Sequence, residues 1–143
     1  WMRSKVYKIS LSSRLSMSDD ELNKILERKY KELTKPREVR HLTKADFDDF
    51  IKDHEVAMVD FWAPWCAPCF MLEPIIKQAA AELLDVGFGK VNSEEEPEIA
   101  SRYYVMSLPT VIIFKNGEPA DTIIGVVPKK ALINRIMSVM GNR

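Results

Sequence analysis

The chain has 143 residues, of which 46% are hydrophobic and 29% charged, and its 21 basic and 21 acidic residues cancel. This composition predicts one folded domain with a sizeable core, and the zero net charge leaves no broad basic surface for nucleic acid. No apolar run in the sequence is long enough to span a membrane, so no membrane association is expected.

Residues 1–17 form a basic, serine-rich leader. The stretch 1–16 carries four basic residues and five serines but no acidic residue. Its composition resembles a short organellar transit peptide, whereas Met17 offers an alternative initiator that would make the preceding stretch an upstream segment. We favour the second interpretation, because the stretch lacks a clear amphipathic pattern and Trp1 is not a natural start. A cytoplasmic protein is therefore expected, with an organelle as the alternative.

Residues 18–37 are predicted to form an extra amphipathic helix. Ser18 and Glu21 have the spacing of a capping box, and the pattern ends before Pro36. Apolar residues recur at helical spacing on one face: Leu22, Ile25, Leu26, Tyr30 and Leu33. The helix either packs on the following domain or stays loosely attached, or it binds a partner or a second copy. We expect a monomer.

Residues 38–143 alternate between strand and helix patterns. The predicted strands lie at 38–42, 56–62, 86–92, 110–115 and 119–124. The first predicted helix is capped by Thr43 and has Phe47, Phe50 and Ile51 on one face. Two further helices are predicted at 66–84 and 97–104. The last predicted helix begins at Pro128, and its buried residues are Leu132, Ile133, Ile136 and Val139 or Met140. Asn116-Gly117 predicts a tight hairpin turn. This order predicts an α/β fold, with a mixed central sheet covered by helices on both faces.

Cys66 and Cys69 are the only cysteines in the sequence. Cysteines at positions i and i+3 lie on the same face of a helical turn, so their sulfur atoms can form a disulfide. If the helix begins near Cys66, its thiol lies at the positive end of the helix dipole, which favours the attacking thiolate. Cys69 would then be placed to attack a mixed disulfide formed at Cys66.

A CxxC motif is also half of many zinc and iron–sulfur sites. The sequence holds no further cysteine, and its two histidines, His41 and His54, are not at ligand spacing. We therefore expect no metal and no external cofactor, the redox group being the cysteine pair itself.

Asp60 and Lys90 are charged residues inside predicted strands. Burial in the apolar strand 56–62 would raise the pKa of Asp60 and suit it to exchange a proton with Cys69. The alternative is a strand-end acid that reaches water. Lys90 is a candidate partner of this acid.

Further candidates flank these residues. Trp62 and Trp65 are either core aromatics or the apolar rim on which a substrate chain docks, and we favour the rim. Pro109 either marks the start of the strand 110–115 or, with a cis peptide bond, leaves neighbouring backbone groups free to pair with an extended substrate.

Three blocks of the sequence together resemble the thioredoxin family. They are residues 59–69 (VDFWAPWCAPC), 107–110 (SLPT) and 114–118 (FKNGE). The resemblance extends over roughly residues 38–141, in the family's order and spacing. It implies the thioredoxin fold and a thiol–disulfide oxidoreductase that reduces protein disulfides and is recharged by a thioredoxin reductase.

The resemblance also implies a role for individual residues. Cys66 is expected to be the nucleophile, Cys69 the resolving thiol, Asp60 the buried acid, Lys90 its nearby lysine and Pro109 a cis-proline. The residues expected to contact a substrate are Trp62, Trp65, Ala67, Pro68, Ser107, Leu108, Gly125 and Val126.

The sequence departs from the commonest family pattern at two positions. Ala67 stands where glycine is most common, and Phe70 stands where lysine is frequent, which makes the docking face more apolar. Oxidases and isomerases of the family usually carry histidine between the cysteines, so Ala67-Pro68 favours a reductant. The alternative from another class is a binding module in which the redox chemistry is incidental.

Overall fold

The structure is a computed structural model that describes residues 18–34 and 37–141, with the side chains of 32–34 left out. The chain divides into two compact units, residues 1–35 and 36–143. The leader predicted at 1–17 lies outside the described residues, and the boundaries of the three predicted segments stay predictions. None of the helices in the described ranges is long and apolar enough to cross a bilayer.

Helix α1 spans Asp19–Thr34 in the first unit. The hydroxyl oxygen of Ser18 accepts a hydrogen bond from the Glu21 N–H at 3.2 Å, and the Ser18 carbonyl accepts one from the Leu22 N–H. These bonds satisfy donors that the first helical turn leaves free. The predicted N-terminal helix and its cap are confirmed.

The second unit contains a five-stranded sheet with the strand order β1-β3-β2-β4-β5. Its elements are β1 (Arg40–His41), α2 (Phe47–Asp53), β2 (Val56–Trp62), α3 (Ala67–Glu82), β3 (Gly87–Asn92), α4 (Pro97–Arg102), β4 (Thr110–Lys115), β5 (Glu118–Ile124) and α5 (Lys129–Gly141). Strand β3 runs parallel to β1 and β2, whereas β4 runs antiparallel to β2 and β5. The mixed sheet predicted from the sequence is confirmed.

The central strand β2 is buried on both faces. Val56 and Met58 pack into a cluster with residues of α3 and α5, whereas Ala57, Val59 and Phe61 pack into a second cluster with residues of α2 and α4. Because side chains alternate along a strand, the even-numbered residues of β2 face α3 and α5. This alternation places Asp60 beneath α3.

Arg37 ties the start of the second unit to the end of α3. Its guanidinium donates hydrogen bonds to the carbonyl oxygens of Ala80, Leu83 and Val86, the last at 2.7 Å. Its backbone N–H donates to the Lys77 carbonyl. A cation is favourable at this position, because the last carbonyl groups of a helix have no partners within it and carry partial negative charge.

Thr43 caps the turn that leads into the helix carrying Phe47, as predicted. Its Oγ1 accepts the Ala45 N–H at 3.3 Å, and its carbonyl accepts the Phe47 N–H at 3.0 Å. The Asp46 carboxylate accepts the Thr43 N–H at 2.7 Å in return, although the regular helix α2 begins only at Phe47, with Asp46 at its N-cap position. The hairpin prediction is confirmed, since Asn116 and Gly117 both have positive φ, 52° and 84°.

Gly89 in β3 provides the first test of the packing. A β-carbon there would lie 2.5 Å from Leu42 Cδ1 and 3.1 Å from Phe50 Cε2, and both side chains are buried. We expect Gly89→Ala to lower the free energy of unfolding, measured by urea titration, by about 1–3 kcal/mol. The control Gly141→Ala meets no atom within 4 Å, and its change should stay within about 0.5 kcal/mol. Equal effects of the two substitutions would contradict this account of the packing.

Candidate active site

Cys66 and Cys69 form a disulfide where β2 passes into α3, with Cα atoms 5.4 Å apart. Cys66 occupies the N-cap of α3, and its Sγ accepts the N–H of Cys69 at 3.3 Å. Pro68 lies in the first turn of the helix, where a missing N–H costs no intrahelical bond. The helix therefore begins where the cysteine spacing predicts.

The N-terminus of α3 favours negative charge on Cys66 once the disulfide is reduced. The first backbone N–H groups of a helix have no carbonyl partners within it, and the helix dipole is positive at this end. The first turn of α3 contains no acidic residue that would oppose this effect. The backbone at this helix end thus favours the thiolate form of Cys66.

The two tryptophans predicted at the site have different environments. The side chain of Trp65 is 69% exposed, whereas Trp62 is half-buried and packs on a small cluster of Ala63, Cys66 and Cys69. The Trp62 ring also contacts the ring of Phe70 edge-on, with 6.1 Å between centroids. The exposed apolar surface beside the disulfide therefore comes from Trp65, whereas Trp62 packs against the two cysteines from the interior.

The loop that carries Pro109 adjoins the disulfide. The Leu108–Pro109 peptide bond is cis, and Leu108 packs against the same cluster as Trp62. The Pro109 carbonyl accepts a hydrogen bond from Gly125 N–H at 2.9 Å. That carbonyl is consequently occupied, whereas Leu108 makes no backbone hydrogen bond with any residue in the described ranges.

The other predicted contact residues lie at the surface around this loop. Ala67, Pro68 and Ser107 are exposed. Gly125 has a φ of 91°, and Val126, which follows it, is 39% exposed. The predicted roles of these residues in substrate contact stay predictions.

An open cavity of about 340 Å³ lies beside the exposed ring of Trp65. Its remaining walls come from α4, the loop before Pro109 and the end of β3, and include Ser93, Pro97, Ala100, Val105, Met106 and Leu108. Of the lining residues, only Trp65, Ser107 and Leu108 were predicted from the sequence. The sequence did offer a signal for Ser93, which follows β3. Loops that follow adjacent parallel strands meet at the same edge of the sheet, so the segment after β3 can be expected near the loop after β2.

Asp60 is the buried acid of the site. Its side chain is 5% exposed, and its Oδ1 has no hydrogen-bond partner among the described residues. Loss of hydration raises the pKa of Asp60 to about 7, with the positive charge of Lys90 opposing the rise and the negative charge of Glu73 adding to it. A carboxyl group with this pKa takes up and releases protons near neutral pH.

Lys90 lies opposite Asp60 in the register of β2 and β3. Among the described residues, its ion pair is with Glu73, at 3.9 Å between Nζ and Oε2, and not with Asp60. Its ammonium group also lies 5.6 Å from the centre of the Trp62 ring. Glu73 was not predicted from the sequence, although its position four residues after Cys69 places the two on one face of α3.

The described residues contain no group of three or more His, Cys, Asp and Glu side chains arranged to hold a metal ion. His41 faces Glu95 at 3.5 Å, and the Nδ1 of His54 lies 2.9 Å from the Phe50 carbonyl. Both histidines therefore have partners of their own, and neither pairs with a cysteine.

The raised pKa of Asp60 predicts a pH-dependent stability. Between the ordinary carboxyl value of 3.8 and about 7, the folded protein holds a proton that the unfolded chain has released, so stability falls as pH rises through this window. The amide introduced by Asp60→Asn cannot titrate. We expect the unfolding free energy of oxidised Asp60→Asn, relative to the parent, to increase by about 3–4 kcal/mol from pH 4 to pH 8.

Urea titrations across this pH range test the expectation, with Asp121→Asn as the matched control. Hydrogen bonds from Arg135 lower the pKa of Asp121, so this substitution should show the opposite sign, with its largest cost near neutral pH. A constant difference between Asp60→Asn and the parent would show that Asp60 is not the group described here.

Comparison with known proteins agrees with this geometry. The Thioredoxin family profile matches residues 38–138. The chain is 43% identical over 102 residues to the chloroplastic M-type thioredoxin of Spinacia oleracea, covering 70% of this chain but only 56% of the spinach protein. It is 42% identical over 97 residues to thioredoxin 1 of Synechococcus elongatus, covering 66% of this chain and 91% of that protein.

Solved structures show the same fold. A mutant thioredoxin from Halobacterium salinarum superimposes with a TM-score of 0.67 at 34% identity, covering 73% of this chain and 92% of the other. Oxidised mitochondrial thioredoxin 3 from Saccharomyces cerevisiae superimposes with a TM-score of 0.66 at 33% identity, covering 70% and 94%. This chain therefore belongs to the thioredoxin family.

Proposed function

We propose that this protein reduces disulfide bonds in other proteins by dithiol exchange at Cys66 and Cys69. The observation that carries the proposal is the disulfide at the N-terminus of α3, with an exposed tryptophan beside it and a buried carboxyl group beneath that helix. The redox group is the cysteine pair, and no external cofactor is required for this exchange.

In the first step, the Cys66 thiolate attacks one sulfur atom of the substrate disulfide. A bond forms between Cys66 Sγ and that sulfur, and the substrate's own S–S bond breaks and releases one substrate thiolate. The exposed rim of Trp65 and the free backbone groups of Leu108 support docking of an extended substrate segment at this point. Gly125 and Val126 adjoin the same loop.

In the second step, the Cys69 thiol gives up its proton and its sulfur attacks Cys66 Sγ. The Cys66–Cys69 disulfide forms, and the second substrate thiolate leaves, so two electrons have passed to the substrate. Asp60 is the proposed proton acceptor, and its pKa of about 7 leaves a large fraction of the carboxyl group ionised at neutral pH. Lys90 and Pro109 are proposed to position this acid and the substrate, respectively.

We further propose that the physiological direction is reduction. Ala67-Pro68 places no cation between the cysteines, whereas a histidine there would stabilise the reduced thiolate and make the disulfide more oxidising. The oxidised protein then needs two electrons from a donor, for which a thioredoxin reductase is the proposed partner. Such chemistry suits a reducing compartment. The cytoplasm remains our prediction for the location of the protein. The chloroplastic and mitochondrial names of two relatives support an organelle as the alternative.

The two cysteines should respond differently to substitution. Cys66→Ser removes the attacking sulfur and should abolish turnover of a disulfide-bonded model substrate, whereas Cys69→Ser should accumulate a mixed disulfide visible on a non-reducing gel. Ser138→Ala, a substitution on α5, serves as the control and should retain parental turnover. Substantial turnover by the Cys66→Ser protein would overturn the proposed nucleophile.

The direction of electron flow is tested by the reduction potential of the cysteine pair. Equilibration against reduced and oxidised glutathione can be followed by the fluorescence of Trp62 and Trp65, which adjoin the disulfide. We expect a potential below the biochemical glutathione range of about −220 to −260 mV. A value above about −200 mV would identify an oxidant or isomerase instead.

A further inference from the structure

Lys90 is shared among three groups on the α3 side of the sheet. It lies opposite Asp60 in the parallel register of β2 and β3. Its Nζ is 3.9 Å from the Glu73 carboxylate and 5.6 Å from the centre of the Trp62 ring. Because Asp60 Oδ1 is buried without a hydrogen bond among the described residues, the position of this single ammonium group decides how well a charge on Asp60 is tolerated.

Glu73 is placed to control that ammonium group. It lies one helical turn after Cys69 on α3, and its carboxylate also pairs with Lys77 at 3.7 Å. Its side chain is 40% exposed, so a charge there costs less desolvation than a charge on the buried Asp60. Lys90 therefore has a hydrated, anionic alternative to the buried acid.

We propose that Glu73 is a positioning residue of the redox site, which draws the Lys90 ammonium toward α3 and away from the buried Asp60 carboxyl group. This inference rests on the proposed function, in which Asp60 receives the proton of Cys69. It adds a residue outside the CxxC motif that tunes the acid through an intervening lysine.

The other elements around Asp60 contribute no competing charge among the described residues. In β4 the residue opposite Asp60 is Val111. Helix α5 contributes the apolar side chains of Leu132 and Ile136 to this core, and its Arg135 pairs with Asp121 instead. The charges that act on the Asp60 pKa are those of Lys90, which lowers it, and Glu73, which raises it.

Neutralising Glu73 should therefore change the acid in a defined direction. Glu73→Gln removes a negative charge that disfavours the Asp60 carboxylate, and it also frees Lys90 to approach that carboxylate. Both changes favour the ionised acid, so the pKa of Asp60 should fall. We expect its titration midpoint to move to lower pH by about half a unit or more.

The experiment has a readout that does not require redox activity. The carboxyl carbon of Asp60 is followed by ¹³C NMR through a pH titration of the oxidised parent and of Glu73→Gln. The matched control is Glu82→Gln, on the same helix, where the carboxylate pairs with Lys129 at 2.7 Å. The control should titrate like the parent, and an unshifted midpoint in Glu73→Gln would overturn the proposal.

A second readout links the shift to the reaction. The pH profile for reduction of a disulfide-bonded model protein should move to lower pH in Glu73→Gln by the same amount, and Glu73→Gln should cause no such shift in an Asp60→Asn background. An NMR shift without a shift of the rate profile would overturn the role in the reaction. If the parent reduces no disulfide, the proposed function itself fails, whereas the NMR titration still tests the effect of Glu73 on Asp60.

Discussion

The burial of the Asp60 carboxyl group is the constraint around which this site is arranged. An ionisable side chain in the central strand of a sheet costs stability, because burial removes most of the water that would solvate its charged form. In this protein the destabilising carboxyl group lies beneath α3, the helix that begins at Cys66 and contains Cys69. Proteins commonly tolerate a loss of stability at functional positions, and a carboxyl group that titrates near neutral pH can exchange protons there.

The sheet topology brings the parts of the site together from distant segments. Strands β2 and β3 are parallel neighbours, so the loop with Cys66 and the segment with Ser93 emerge at the same edge. Strand β4 runs antiparallel to β2, and therefore begins at that edge, which places cis-Pro109 beside the disulfide. The first segment contributes the cysteine sulfur atoms, the second a wall of the cavity. The third contributes the backbone groups of Leu108, which make no backbone hydrogen bond among the described residues.

The electrostatics of the site depend on helix and sheet together. The N-terminus of α3 favours the Cys66 thiolate through its free backbone N–H groups and its dipole. The same helix presents Glu73 one turn later, where it meets Lys90 from β3 at 3.9 Å. In the proposed exchange, this helix stabilises negative charge on the nucleophile Cys66 and, through Glu73, withdraws positive charge from the buried acid. The two effects act on different steps of the proposed exchange.

Local sequence patterns were sufficient for much of this description. Strands β2 and β4 have the predicted bounds, 56–62 and 110–115, because unbroken apolar runs are typical of strands buried on both faces. Asn116-Gly117 specified its hairpin because both residues tolerate positive φ, and Cys66 and Cys69 were identified by spacing alone. Only tertiary structure decided that Lys90 pairs with Glu73, that Trp62 is half-buried while Trp65 is exposed, and that Ser93 lines the cavity. Periodicity and turn stereochemistry are properties of neighbouring residues, whereas the partner of a side chain depends on which strands and helices the fold places side by side.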